Sequence, residues 1–352
     1  MKLKFGYVKM RDIMSKLTFP ILELLADGQF HSGEVLAKHF KVSRASIWNA
    51  IKHAQTLGIT VFSICGRGYK LPKAIDFIDK NNVLNAVGEQ YENFDLIILD
   101  ETASTNTYLM QQKNVAHATC VASHIQTSGR GRRGRIWVSQ LGASLTFSLL
   151  WRFQCGAAAL SGLSLAVGVA IIRALREMGI DRAQLKWPND VLVLDAGAQD
   201  TDTNKLAKKL AGILIELHGD LHGPSVAVIG IGVNLNCPRE MLENIDQPAI
   251  DLAHILTIAN KPLINQSELL GVLLKHLFKV LSGFEKHGFV ELRDEWTNYH
   301  AYHHQSVRML FPNGNEITGV VNGVADDGVL LIETAQGFQR FNAGEISMRG
   351  MQ

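Results

Sequence analysis

The seven-residue segment GRGRRGR, at residues 129–135, contains four arginines among three glycines. Its letters fit the G-x-G-x-x-G pattern of dinucleotide-binding loops, which carries weight only when a strand precedes it and a helix follows it. The residues that follow, RIWVSQLGASLTFSLLW, are rich in aromatic and β-branched types and are broken by Gly142, which predicts strand, turn and strand. A nicotinamide-binding loop is therefore excluded, and the arginines indicate a loop that binds anions.

Polar residues also stand at the ends of two strand-like runs. FDLIILDETASTN ends in Ser104, Thr105 and Asn106, where a predicted strand gives way to a predicted helix capped by Ser104. Backbone N–H groups at such a helix start suit a polar or anionic ligand, and an ordinary helix cap is the alternative. TCVASHIQTS is a predicted strand that brings Gln126 to the mouth of the arginine loop.

Three later strand-like segments carry further polar residues and glycines. In LKWPNDVLV, residues 186–190 interrupt the run, and proline there predicts a bulge or a sheet edge from which polar side chains project. Lys209 precedes the apolar strand LAGILIEL, in which Gly212 indicates the close approach of a ligand or another backbone. The next core strand, SVAVIGIGVNLN, contributes Gly230, Gly232 and Asn234.

The N-terminal residues 15–75 predict a winged helix-turn-helix. HSGEVLAKHFKVSRASIWNAIKHAQTLGI indicates two helices capped by Ser32 and Ser43, and TVFSICGRGYKL indicates a hairpin. In such domains the second helix enters the major groove and the wing meets the DNA backbone. DNA contacts are therefore expected from Ser43, Arg44, Ser46, Asn49, Lys52 and Arg67. Trp48 and Ala50 count against DNA contact, and a protein-interaction module is the alternative.

The remaining segments predict packing and connecting elements. An apolar helix from Ser161 to Gly179 is predicted to be buried. Residues 195–208 indicate a solvated loop insertion, because surface loops tolerate added length at low cost. Two amphipathic helices follow, and from Gln305 the apolar period changes to two, which predicts a small β-barrel. His303 and His304 lack matching ligands and indicate a linker feature, not a metal site.

The composition fits a globular protein of two or three domains, with 352 residues, 47% of them hydrophobic and 19% charged. The net charge is only +2, so any contact with nucleic acid must come from a local patch. The four cysteines are scattered without a C-x-x-C pair, which excludes a disulfide framework or a zinc site.

No apolar run is expected to reach membrane-spanning length, and the basic start MKLKFGYVKMRDIMSK lacks a signal-peptide core. A cytoplasmic protein is expected. The basic start itself is interpreted as a solvated tail or as residues preceding a true start at Met10 or Met14, with a DNA-binding arm as the alternative.

These motifs, in this order and spacing, resemble the biotin protein ligases over nearly the whole chain. GRGRRGR at 129–135 with KWPND at 186–190 is a highly specific pair, joined by KLAGIL at 209–214 and GIGVN at 230–234. With the N-terminal winged helix-turn-helix, the chain resembles the bifunctional ligase and repressor type. The resemblance implies an α+β protein with three domains: a winged helix-turn-helix at 15–75, a central mixed-sheet ligase domain with packed helices at 83–302, and a small β-barrel at 303–352.

The resemblance implies a reaction in two steps. Biotin and MgATP form enzyme-bound biotinyl-AMP and pyrophosphate, and biotin then passes to a lysine of the biotin carboxyl carrier protein of acetyl-CoA carboxylase. The biotinyl-AMP form is expected to dimerise and to repress biotin biosynthesis genes at operator DNA. ATP with Mg²⁺ and biotin are substrates, and neither a prosthetic group nor a membrane partner is expected.

The resemblance also assigns roles by matching motif. Arg132 holds the carboxylate and then the acyl phosphate, and Lys209 neutralises the same centre. Lys208 is the alternative to Lys209, which is favoured because it adjoins Leu210. Asp190 aligns or deprotonates the carrier lysine, and Lys186 orients the turn and the nucleotide. The biotin-binding set is Ser104, Thr105, Asn106, Gln126, Arg130, Gly131, Arg132 and Lys209. The ATP-binding set is Arg130, Arg132, Arg135, Trp137, Asn189 and Asn234.

Two alternatives of other kinds remain. A biotin-sensing repressor without effective ligase activity would share the winged helix-turn-helix, but all matched site residues are intact. The lipoate ligases share the fold and the adenylate chemistry, and the arginine loop with the DNA-type domain counts against them.

Overall fold

The computed structural model describes residues 16–194, 207–219, 223–343 and 347–350. The basic start of the chain, up to residue 15, and residues 195–206 of the predicted loop insertion lie outside the described residues. Two compact units are present: residues up to Phe77 with Gln140–Gly142, and Ile78–Ser139 with Ala143 onward.

The first unit contains helices and a short hairpin. Residues 16–25 form helix α1, followed by α2 (Gly33–Phe40), α3 (Arg44–Thr56), β1 (Phe62–Ile64) and β2 (Gly68–Lys70). Ser32 caps α2 and Ser43 caps α3, since each hydroxyl accepts a hydrogen bond from a backbone N–H of the first turn. The strands pair antiparallel around a tip at residues 65–67, so the predicted winged helix-turn-helix is confirmed.

The second unit is built on a seven-stranded mixed sheet. Its strands lie in the order β3, β4, β5, β9, β8, β7, β6, and only the β3–β4 pair is parallel. Their bounds are β3 Asp95–Thr102, β4 Thr119–Gln126, β5 Ser144–Phe153, β6 Ala183–Lys186, β7 Asp190–Leu194, β8 Ala207–Gly219 and β9 Ser225–Asn234.

Helices cover this sheet and connect its strands. They are α4 Lys80–Val87, α5 Thr105–Gln111, α6 Leu163–Glu177, α7 Arg239–Glu243, α8 Leu252–Ile258, α9 Gln266–His287 and α10 Arg293–Tyr299. Single 3₁₀ turns lie at Gly88–Asn93, Arg132–Gly134, Ala157–Leu160 and Val290–Leu292.

Along the central strands, successive side chains alternate between the face that packs into the core and the opposite face. In β5 the odd-numbered residues from Leu145 to Phe153 pack into the main core with α6 and α9, whereas Ser148 and Leu150 face α5. Strand β9 follows the same pattern, with Ile229 and Ile231 in the core. Because successive side chains point to opposite faces, Gly230 and Gly232 lie on the face opposite α6 and α9.

The C-terminal residues form a five-stranded antiparallel sheet. Its order is β13, β12, β11, β10, β14, with bounds β10 Ser306–Leu310, β11 Glu316–Val324, β12 Leu330–Thr334, β13 Gly337–Phe341 and β14 Ser347–Gly350. A C-terminal β domain was predicted correctly. Among the described residues β13 and β14, the first and last strands of this order, each pair with one strand only. These strands therefore form an open sheet by their pairing and not the closed barrel that was expected.

Four local expectations differ from the structure. The apolar helix begins at Leu163 with Gly162 as its N-cap, because the hydroxyl of Ser161 donates instead to the carbonyl of Asp327 at 2.5 Å. Ala157–Glu177 is long and apolar enough to span a membrane, contrary to expectation, but 67% of its most apolar window is buried, so it is a core helix. Pro188 lies in the turn between β6 and β7, so the expected bulge is absent there, whereas the alternative of a sheet edge is met because β6 is the edge strand. The strand expected directly after the arginine loop is reduced to one bridge, Arg130 to Ile136.

Candidate active site

All the residues expected to bind biotin, bind ATP or take part in catalysis line one cavity of the second unit, about 1250 Å³ in volume including its open mouth. They are Ser104, Thr105, Asn106, Gln126, Arg130, Gly131, Arg132, Arg135, Trp137, Lys186, Asn189, Asp190, Lys209 and Asn234. These residues come from five separate stretches of sequence, so only the folded sheet brings them together.

A polar cluster forms one end of the cavity. The carbonyl oxygen of the Gln126 side chain accepts hydrogen bonds from Thr105, from its backbone N at 2.7 Å and its hydroxyl at 3.1 Å. The hydroxyl of Ser148 lies 2.6 Å from Thr105 Oγ1 and 2.5 Å from Asn106 Oδ1. This cluster orients Thr105 and Gln126 before any ligand arrives, and the sequence analysis missed Ser148.

Glu216 extends the same cluster towards the arginine loop. Its carboxylate accepts from Asn106 Nδ2 at 2.8 Å and from Arg130 Nη2 at 2.8 and 2.9 Å. Asn106 also donates to the carbonyl of Leu214 at 3.2 Å, so its amide is fully engaged within the protein. Asn106 thus lies in the expected place but as a support for its neighbours, and Glu216 is a second residue that the sequence analysis missed.

Backbone hydrogen bonds shape the arginine loop. Gly131 N donates to the carbonyl of Arg135 at 2.8 Å, and Trp137 N donates to that of Gly129 at 2.9 Å. A side chain at Gly129 would collide with the Trp137 backbone, since its Cβ would lie 2.4 Å from the carbonyl oxygen of Trp137. The chain therefore doubles back on itself here, which directs Arg132 inward.

Arg132 is the loop residue that reaches the KWPND turn. Its Nη1 donates to Asn189 Oδ1 at 3.0 Å, and its Nη2 donates to the carbonyl of Ala343. Burial lowers the pKa of Arg132 from its usual value, with Asp190 opposing the shift. A cation held in this partly desolvated position interacts strongly with an anionic ligand.

The KWPND segment is a hairpin turn with a cis Trp187–Pro188 bond. Lys186 and Asp190 are directly opposite in the β6–β7 register, which places both side chains at the end of the hairpin. Asn189 donates to the carbonyl of Ile213 at 2.8 Å, and Ile213 N donates back to the carbonyl of Asn189 at 2.9 Å. The turn is thereby fixed against β8.

Asp190 and Lys209 form an ion pair at 2.6 Å between Oδ1 and Nζ. Burial alone would raise the pKa of Asp190, but Lys209 and Lys186 outweigh burial and the pKa lies below its usual range. Asp190 is therefore a carboxylate near neutral pH. This geometry distinguishes Lys209 from Lys208, whose side chain is not among those that line the cavity.

Lys186 is buried beside this pair, with 8% exposure. Burial, together with the nearby cations Arg349, Lys209 and Arg135, lowers its pKa to about 8, although Asp190 opposes the shift. The cavity therefore holds more positive than negative charge, which suits a ligand that carries several negative charges.

Trp137 lies on a flat floor made by two paired glycines. Gly212 and Gly232 are opposite each other in the β8–β9 register. A Cβ at Gly232 would lie 2.3 Å from the indole, and one at Gly212 would lie 3.3 Å from it. These glycines thus admit an aromatic ring from the protein itself, and Lys209 Nζ lies 5.8 Å from the same ring.

Asn234 is buried and donates to two backbone carbonyls, of Ile250 at 3.0 Å and of Lys209 at 3.3 Å. These bonds hold the backbone of Lys209, and they leave only Oδ1 of Asn234 for a nucleotide. Its expected contact with ATP stays a prediction.

The C-terminal sheet supplies residues that the sequence analysis did not assign. Ser347 and Arg349 of β14 line the cavity, and Trp187 Nε1 donates to the carbonyl of Gly328 at 3.2 Å. Burial lowers the pKa of Arg349, and Arg135 adds to the effect. No signal in the sequence links these positions to the motifs, because they are more than 90 residues from the nearest of them along the chain.

The described residues contain no group of three His, Cys, Asp or Glu side chains able to hold a metal ion. His303 and His304 have ring centroids 3.8 Å apart and face each other rather than a shared centre.

The first unit places most of the expected DNA-contacting residues on or beside α3. Arg44 and Lys52 are exposed on this helix, Asn49 is half-buried, and Ser43 and Ser46 are bonded to each other at 2.9 Å in the cap. Arg67 at the hairpin tip lies 4.4 Å from the ring of Phe30. Their contacts with DNA stay predictions.

Comparison with known proteins gives matches to all three parts of the chain. Residues 98–236 match the Biotin/lipoate A/B protein ligase family, residues 18–70 match an HTH domain, and residues 303–349 match the Biotin protein ligase C terminal domain.

Relatives extend over almost the full length. A bifunctional ligase/repressor BirA from Salmonella typhimurium is 35% identical over 349 residues, 97% of this chain and all of the relative. Its Escherichia coli counterpart is 33% identical, over 94% of this chain and 97% of its own. Among solved structures, a biotin protein ligase from Aquifex aeolicus in complex with biotin and ATP is 32% identical, with a TM-score of 0.61 over 73% of this chain and 99% of that one.

Proposed function

This chain belongs to the biotin protein ligase family, and from that membership we propose that it activates biotin with ATP and transfers it to a lysine of the biotin carboxyl carrier protein of acetyl-CoA carboxylase. The observation that carries the proposal is that every residue expected to bind biotin, bind ATP or take part in catalysis lines one cavity, including the cations Arg132, Lys186 and Lys209.

The first step joins two anions. A carboxylate oxygen of biotin attacks the α-phosphorus of ATP, the bond between the α- and β-phosphates breaks, and pyrophosphate leaves. Biotin carboxylate and triphosphate repel each other, so the reaction needs fixed cations at the point of attack. Arg132 on the loop and Lys209 on β8 supply these charges, Arg132 held by Asn189 and Lys209 by Asp190. The adenylate formed is held by the same two cations.

The second step needs a nucleophilic amine. The carrier lysine loses a proton and attacks the acyl carbonyl of biotinyl-AMP, an amide bond forms, and AMP leaves. Asp190 is expected to align the incoming lysine and not to deprotonate it, because its pKa is lowered and it is paired with Lys209. This favours the first of its two expected roles.

Biotin recognition is assigned to the polar end of the cavity. Ser104, Thr105 and Gln126 present hydroxyl and amide groups to the biotin head, and Arg130 and Gly131 add the loop backbone. Mg²⁺ is expected to enter with ATP as part of the substrate complex. No prosthetic group is required by this chemistry.

Repression is the second activity. The winged helix-turn-helix with exposed Arg44 and Lys52 supports binding to operator DNA of biotin biosynthesis genes by the biotinyl-AMP form. This form is expected to be a homodimer in the cytoplasm, and addition of biotin and MgATP is expected to increase the sedimentation coefficient. A sensor without ligase activity is disfavoured because the cavity retains its full set of cations.

The test is pyrophosphate release by the purified protein with MgATP and either biotin, lipoate or no acid. Release with biotin alone is expected. Release with lipoate alone would assign the site to lipoate, and no release from folded protein with either acid would favour the sensor-repressor.

A further inference from the structure

Helix α3 exposes a row of three large side chains. Arg44, Trp48 and Lys52 are four residues apart, so they lie above one another on the same face of the helix. All three are exposed, whereas the adjoining face, with Ile47, Ala50, Ile51 and Ala54, is buried. The row therefore has no part in the core of this unit.

Trp48 is the unexpected member of the row. Its exposed fraction is 52%, and Lys52 Nζ lies 5.6 Å from its ring centroid. Leaving a large aromatic surface in water forgoes the stabilisation that burial would give. A tryptophan between two cations on the outer face of this helix is thus best explained by a partner that covers it.

The distribution of charge identifies the kind of partner. The first 77 residues contain 12 Lys and Arg against 5 Asp and Glu, a net charge of +7. The rest of the chain contains 23 against 28, a net charge of −5. The overall +2 conceals a strongly cationic N-terminal part, and its complement is a polyanion.

A DNA duplex offers both complements to the row. Phosphates and base acceptors in the major groove attract Arg44 and Lys52, and thymine presents the groove's one exposed apolar group, its 5-methyl. An apolar protein partner would instead have to desolvate the cations one helical turn to each side of Trp48.

We propose that Trp48 is a specificity-determining residue of the DNA-binding surface, whose indole packs on the 5-methyl group of a thymine in the operator. Arg44 and Lys52 contact the DNA on either side of that thymine. This assignment rests on the proposed repressor function and reverses the expectation that Trp48 counts against DNA contact.

The test begins with selection of binding duplexes from a randomised library by the full-length protein in biotin and MgATP. In the enriched duplex each thymine is then replaced in turn by uracil, which deletes only the methyl group. At one position the wild-type affinity is expected to fall about fourfold, the effect of removing one buried methyl-sized group.

Trp48→Ala is expected to bind the thymine duplex about tenfold more weakly than the wild type does. It is also expected to bind the uracil duplex as tightly as it binds the thymine duplex. Trp48→Phe keeps an aromatic ring and is expected to retain part of the methyl dependence. Ile258→Ala, at an exposed apolar residue of α8, is the matched control and should change neither affinity. Thermal melting shows that each variant is folded.

Three results would overturn the proposal. Trp48→Ala could bind like wild type, or it could weaken binding while keeping the full thymine-to-uracil effect. Third, the wild-type protein could enrich no sequence, which would also contradict the proposed repressor function. Pyrophosphate release with biotin, measured on the same preparations, separates that failure from a failure of the ligase proposal.

Discussion

The charged side chains in the cavity differ in what their surroundings do to them. Asp190 is buried but faces Lys209 and Lys186, and their charge outweighs burial and keeps it ionised. Lys186 is also buried, and burial, aided by three nearby cations and opposed by one carboxylate, lowers its pKa to about 8. Both pKa values are thus set by burial and by the neighbouring charges, in a different balance for each residue of the hairpin.

Arg132→Gly is predicted to weaken both retention of biotinyl-AMP and its formation. Loss of one oriented donor typically costs about 2.7 to 4 kcal/mol in a transition state, so adenylation should slow by ~100-fold or more. The adenylate formed should escape and label exposed lysines of bystander proteins, detected by streptavidin blotting with added serum albumin. A variant that labels only the carrier protein would contradict the role of Arg132.

Glu216→Gln is predicted to raise the KM for biotin about tenfold, roughly 1.4 kcal/mol, with a smaller effect on kcat. Gln can still accept from Asn106, but it cannot pair with Arg130, so the loop loses its anchor while the polar cluster persists. Glu243→Gln breaks an ion pair with Arg239 outside the cavity and serves as the control. Equal losses in kcat and in kcat/KM would argue against a positioning role.

Lys186→Met is predicted to change how stability depends on pH. The folded pKa of about 8 lies below the unfolded value near 10.4, so between them the folded state binds fewer protons than the unfolded state. The free energy of unfolding of the wild type should therefore gain up to roughly 3 kcal/mol between these pH values, and the variant should lack this gain. Urea unfolding at neutral and alkaline pH measures it, and parallel curves for the two proteins would refute the prediction.

At the scale of elements, strand pairing determines the shape of the cavity floor. Gly232 pairs with Thr146 on one side and Gly212 on the other, and the adjacent pair joins Ser148 to Gly230. A Cβ at Gly230 would lie 2.3 Å from Asn106 Oδ1, just as one at Gly232 would meet Trp137. Two strands therefore admit a polar side chain and an aromatic side chain at adjacent positions of one face.

Gly232→Ala is predicted to displace Trp137 and to raise the KM for ATP at least about tenfold, roughly 1.4 kcal/mol, with less effect on biotin binding. The indole cannot keep its place because the new methyl would overlap it. Gly283→Ala in α9 meets no atom within 4 Å and should instead stabilise the fold by up to about 1 kcal/mol. An unchanged KM for ATP in the Gly232 variant would show that Trp137 does not contact the nucleotide.

For the whole molecule, the separation of charge has a consequence for DNA binding. With a net +7 in the first 77 residues and −5 in the remainder, attraction to DNA comes from one part of the chain. Affinity should then fall steeply with added salt, because each phosphate contact releases counterions.

Arg67→Ala is predicted to weaken binding to all duplexes alike and to reduce the slope of log K against log salt by about 0.9. Its position at the hairpin tip, stacked on Phe30, suits a phosphate contact. Lys286→Ala, at an exposed lysine of α9, should leave the slope unchanged. A loss confined to one sequence would assign Arg67 to base contact.

The local patterns that the sequence predicted well are those set by neighbouring residues. Ser32, Ser43 and Ser104 cap helices because capping involves only a few consecutive residues. The KWPND segment was expected to hold a bulge or to lie at a sheet edge, and it is a hairpin turn beside the edge strand β6. The sequence left both alternatives open because a proline restricts its own backbone and that of the residue before it, but does not determine which strands pair around it.

The sequence by itself predicted which residues lie together in one cavity and determined the order of the three folded parts, because its motifs resemble those of the biotin protein ligases in type, order and spacing. Only the tertiary structure decided which groups support them. Ser148 and Glu216 join the polar cluster through strand register, and Arg349 enters the cavity from the C-terminal sheet. Register and domain packing depend on contacts between residues far apart in the chain, and those contacts leave no local pattern to detect.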